Sequence, residues 1–104
     1  MSPLIAALLI ASANPSLQGD MAPLYAAVSW LAPRAAAGPL AKDRQVSDAL
    51  DRLASHAKRL EGHVPTDDPA ARALARGLSR SARFARARYQ RGDRAHAAQI
   101  VRAM

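Results

Sequence analysis

Five arginines, Arg72, Arg76, Arg80, Arg83 and Arg86, recur every three or four residues. On a helix turning about 100° per residue they fall within a stripe about 120° wide. A guanidinium keeps its charge and presents a planar fork of donors that matches carboxylates and phosphates. The chemistry these residues offer is therefore anion or partner binding, set against the plainer reading of a solvated helix face. Nucleic acid would be held electrostatically and with strong salt dependence. It is the disfavoured partner, because no aromatic residues interleave the stripe for stacking and the turn before it is not a helix-turn-helix.

Other reactive residue types are sparse. His56 and His63 are seven apart, about 10.5 Å along one helix, too far to share one ion. His96 could join them only through folding. No metal site is expected, and the histidines read as solvated residues flanking a packed seam. Cysteine is absent, which excludes a disulfide scaffold, a thiolate zinc site and a cysteine nucleophile. The five glycines are scattered and form no phosphate-cradling loop. Asp48 and Asp51 both have basic neighbours, and Ser55, Ser79 and Ser81 lack any nucleophile context. No catalytic residue is assigned, and the chain is not read as an enzyme.

The elements that must position the arginines follow from spacing. Alanine fills 26 of 104 positions and only four residues are aromatic, Tyr25, Trp30, Phe84 and Tyr89. That composition disfavours strands. The expected fold is all-α: an up-down antiparallel bundle of three helices plus a short fourth. Leu24, Val28 and Leu31 mark a first helix over about 21–31, ended by Pro33. Pro39 suits the first position of the next. Val46, Leu50, Leu53, Ala57, Leu60 and Val64 form a heptad-like seam on the second helix, with Gly62 as its cap and Arg44–Asp48 and Asp48–Arg52 as surface pairs. Asp68 caps a third helix running to about Arg91, with Pro69 at its first position and Ala71, Leu74, Leu78, Ala82, Ala85 and Tyr89 on its apolar face. Gly92-Asp93 breaks the chain into a fourth helix whose apolar positions are Ala97, Ile100, Val101 and Met104. This last helix reads as though it should continue beyond Met104.

The chain carries 15 basic and 8 acidic residues, a net charge of +7. Residues 1–41 are neutral overall, whereas nine arginines and one acid lie between Arg72 and Arg102. Leu4 to Ala11 is an apolar run followed by Ala11-Ser12-Ala13, the small-x-small form of an export signal. It is too short to span a membrane. Residues 1–13 are accordingly read as a signal peptide, 14–20 as a linker and 21–104 as the domain, with an exported or periplasmic location and a cytoplasmic one as the alternative. So small an alanine-rich core invites completion by a cofactor, a further helix or a homodimer through the Val46–Val64 seam.

Two resemblances arise in the last third. Phe84, Tyr89, Gly92-Asp93, Ala97, Ile100-Val101 and Met104 together resemble the third-to-fourth helix junction of exported helical-bundle c-type cytochromes of the cytochrome c-prime-like group. That resemblance implies an electron-transfer or haem scaffold with a redox partner. The departure is severe: the Cys-x-x-Cys-His haem motif is missing, so the chain as given has no covalent haem and no cofactor-binding residue can be carried over. Tyr89-x-x-Gly92-Asp93-x-x-x-Ala97, with Ala85 upstream, is also similar to the turn of a tetratricopeptide repeat. That resemblance implies a protein partner, although such repeats normally stack in series.

Overall fold

The computed structural model describes residues 15–64 and 67–104. They form four helices, α1 (Pro15–Ala36), α2 (Arg44–His63), α3 (Pro69–Gln90) and α4 (Arg94–Ala103), with no strand among them. Each helix packs along its two neighbours in a closed ring, α1 on α2, α2 on α3, α3 on α4 and α4 back on α1, while the diagonal backbones stay farther apart. Extents of 40 × 20 × 19 Å match a bundle two helices wide in each transverse direction. The expected all-α bundle with a short fourth helix is what forms. The segment read as a signal, residues 1–13, lies outside the described residues.

The core is built from the anticipated seams. Leu24 and Leu31 of α1 face Leu50, Leu53 and Ala57 of α2, Leu78, Ala82 and Ala85 of α3, and Ala97 of α4, all fully buried in one cluster. Every position of the Val46–Val64 seam is buried within a single chain. The chain's own helices thus occupy that seam. Alanine at so many contacts lets the axes approach closely while each contact buries little area, at roughly 25 cal/mol per Å².

Four expected boundaries are corrected. The first helix is longer at both ends than 21–31, and residues 15–20, read as linker, form its first turns. Pro33 does not stop it. A proline removes one hydrogen bond and a helix can continue if the next turn is held from outside. Here it is: Ala37 N–H donates to the Pro33 carbonyl at 3.2 Å, and the Arg102 guanidinium donates to the Ala35 carbonyl at 3.0 Å. Ala35 is itself fully buried. Nor does Pro39 open α2. That helix starts at Arg44, after Asp43 in extended backbone accepts the Gln45 N–H at 2.8 Å. Gly62 lies inside α2, whose cap is Val64. The surface pairs of Asp48 do not close; the Arg52 Nε instead donates to the Asp48 backbone carbonyl at 3.4 Å.

The α3–α4 corner follows its sequence closely. Gly92 adopts φ +87°, a left-handed conformation that favours glycine. Asp93 N–H donates to the Arg88 carbonyl at 2.9 Å and Gly92 N–H to the Tyr89 carbonyl at 3.0 Å. These two bonds make a Schellman stop for α3. The Asp93 carboxylate then caps α4 by accepting the His96 N–H at 3.1 Å. One residue thus ends one helix and begins the next. At the other end of α3, Asp68 accepts the Ala71 N–H at 3.1 Å, as its position predicts.

Candidate functional site

The inner stripe of α3 is fixed by Ala71, Ala75, Leu78, Ala82 and Ala85, all buried. Helical geometry then places the arginines on the outer side. Arg72, Arg76, Arg80 and Arg83 are exposed and Arg86 is half-buried. From Arg72 to Arg86 the row spans about 21 Å at 1.5 Å per residue. None of the five is ion-paired to a carboxylate among the described residues. Only Arg83 has a hydrogen bond, its Nε donating to the Ser79 carbonyl at 3.4 Å. All five predicted site residues are therefore brought to one face, with only the Arg83 Nε engaged.

That arrangement has an energetic cost. Arg72–Arg76 and Arg76–Arg80 are i,i+4 neighbours, and Arg80–Arg83 and Arg83–Arg86 are i,i+3 neighbours. Like-charged residues at these spacings, with Cβ atoms about 5–6 Å apart, each destabilise a helix by about 0.2–0.5 kcal/mol. Neighbours at that distance lie within the Debye length of about 8 Å at physiological salt, so their fields reinforce one another. A solvated face needs no such row, and alternating signs would be more stable.

The structure adds residues that spacing could not supply. Gln90 falls on the same stripe as Arg72, about five turns along. It lines a cleft of about 570 Å³ at the end of the bundle together with Lys42, Ser47, Arg91 and Arg94. No carboxylate lines this cleft. Its walls come from the α1–α2 loop with the first turn of α2 and from the α3–α4 corner, segments distant in sequence but tied together. The Tyr89 hydroxyl donates to the Ala41 carbonyl at 2.7 Å and accepts the Asp43 N–H at 3.0 Å. Leu40 N–H donates to the Arg94 carbonyl and the Arg94 guanidinium donates to the Leu40 carbonyl, both at 3.2 Å. Lys42 carries no periodic signal, so only this latch reveals its place beside the basic face.

Phe84 borders the row on the α4 side and is 43% exposed. The Arg88 guanidinium lies over its ring at 4.8 Å from the centroid, and His96 meets it edge-on at 5.5 Å. One aromatic residue so engaged is not a run of stacking platforms for bases.

The remaining candidates do not assemble into chemistry. His56 and His63 lie on α2 and His96 on α4, and none belongs to the core. Among the described residues no group of three ligands could hold a metal ion. Ser79 is fully buried, and its hydroxyl has no partner to activate it. Leu31, Leu50, Leu53, Leu78 and Ala97 fill the interior at 0% exposure, and the chain has no cysteine to hold a haem covalently.

Fold and face together define the class as an all-α four-helix domain with one unneutralised basic side. The chain matches no family model, no curated protein and no solved structure. Among the described residues no helix is long and apolar enough to cross a membrane.

Proposed function

We propose that this chain is a non-enzymatic docking module that binds an acidic segment of a protein partner along the outer face of α3. The observation that carries this reading is the row Arg72, Arg76, Arg80, Arg83 and Arg86, about 21 Å long, with no carboxylate partner among the described residues. The basic cleft of Lys42, Arg91 and Arg94 extends the same surface at one end. The exposed Phe84 supplies an apolar contact beside the charges, which suits a polypeptide that mixes acidic and apolar side chains. The tetratricopeptide-like turn at Tyr89, Gly92, Asp93 and Ala97 agrees with a protein partner. The cytochrome-like reading has less to support it, because the Cys-x-x-Cys-His motif that would attach haem is absent from the sequence.

The test is fluorescence anisotropy with a labelled peptide rich in glutamate and phenylalanine, compared with a single-stranded oligonucleotide of equal charge. The peptide should bind saturably, weaken as salt rises, and lose about tenfold or more in affinity on Arg76→Ala with Arg83→Ala. Arg59→Ala on α2 should leave it unchanged. Tighter binding of the oligonucleotide, or indifference to the α3 double substitution, would overturn the proposal.

A further inference from the structure

A second site lies on a different side of the bundle, between α1 and α2. A groove of about 470 Å³ opens there, floored by Ala26 and Ala49, walled by Trp30 and edged by Gln45, Arg52 and His56. Its size falls within the range of about 300–1,000 Å³ typical of small-molecule sites. We infer that this groove binds a small organic anion in which a carboxylate is joined to an aromatic ring or short apolar chain.

Three features specify that ligand. The first is an incomplete hydrogen bond. His56 Nδ1 is wholly shielded from solvent and has no partner. Leaving a buried polar atom unsatisfied costs about 1–3 kcal/mol, which a turn of the imidazole that brings Nδ1–H to a ligand oxygen in the groove would recover. The second is charge. No carboxylate lines the groove, and its permanent charge is Arg52. That guanidinium is tied only through Nε, to the Asp48 carbonyl at 3.4 Å. Its terminal NH₂ groups remain to hold an anion. The third is a fixed apolar wall. Arg34 stacks on the Trp30 ring at 3.6 Å from the centroid and donates to the Trp30 carbonyl at 2.7 Å. Held from behind in this way, the indole is a preorganised surface for a ring or chain. The small side chains of Ala26 and Ala49 leave space in front of it.

Trp30 is the only tryptophan in the chain and so reports directly on the groove. The full chain should be titrated with phenylacetate and with the uncharged phenylacetamide, exciting Trp30 selectively. Phenylacetate should change the emission saturably, and the amide should bind about tenfold more weakly. Arg52→Ala and His56→Ala should each weaken phenylacetate by about tenfold. Ala26→Phe, at an exposed position that leaves the core intact, should abolish the response, with circular dichroism confirming the helices. Absence of a saturable change, equal affinity for acid and amide, or full affinity in the Ala26→Phe chain would overturn the inference. The α3 double substitution should leave this titration unchanged, so failure at either site is separable from failure at the other.

Discussion

α2 and α3 are near twins on the inside and opposites on the outside. They have similar lengths, 20 and 22 residues, and each lays a buried stripe into the same core, Leu50, Leu53 and Leu60 with alanines on α2 and Leu78 with four alanines on α3. Yet α2 carries three acids among its four bases, whereas α3 carries six arginines and no acid. Packing cannot explain the difference, because both inner faces are served equally well. An uncompensated row costs stability through like-charge repulsion. Its presence on one twin and absence from the other is the contrast on which the proposed docking role rests.

Shared interior and divergent exterior make separable predictions. Leu53→Ala on α2 and Leu78→Ala on α3 each remove a side chain at 0% exposure. Each should lower unfolding stability by about 2–5 kcal/mol, measured by urea denaturation. A large loss on one helix and none on the other would break the equivalence. Tyr89→Phe removes the hydroxyl that joins the α3 end to the α1–α2 loop. A loss of about 1 kcal/mol is expected, together with faster amide exchange at Asp43; unchanged exchange would show that the loop does not depend on this latch. Asp68→Ala and Asp93→Ala each delete a helix cap. Both should cost about 1 kcal/mol in thermal or chemical melts.

The smallest effect is the most pointed. Arg80→Glu puts an acid between Arg76 and Arg83, turning repulsive neighbours into attractive ones. Stability should rise by a few tenths of a kcal/mol while binding of the acidic peptide falls. A change of the same size and sign is not expected from Asp48→Glu on α2. If Arg80→Glu instead destabilises the fold, the row has a structural role and the contrast between the twins loses its functional meaning.

Much of this was legible before folding. The helical caps at Asp68 and Asp93, the corner at Gly92 and the inner faces of α2 and α3 follow from local backbone chemistry and periodicity, which act within a few residues. The boundaries at Pro33, Pro39 and Gly62 were misjudged because local preference was the wrong authority. Arg102 and the burial of Ala35 hold the last turn of α1 past its proline, and those contacts come from a helix 67 residues away. The arginine row was equally legible, since a single helix displays its own stripe. Lys42, Arg91 and Arg94 as one cleft, and Trp30, Arg52 and His56 as one groove, were not.

By itself, then, the order of residues determined the helices, which side of each would be buried, and the uncompensated charge of α3. Those are properties of one chain segment and its period. The tertiary structure decided which helices would be neighbours, where α1 ends, that the Val46–Val64 seam is used within the chain, and which distant side chains share a cavity. The physical reason is that such juxtapositions depend on long-range packing and on single anchoring bonds, such as Tyr89 to Ala41, whose partners no local pattern marks.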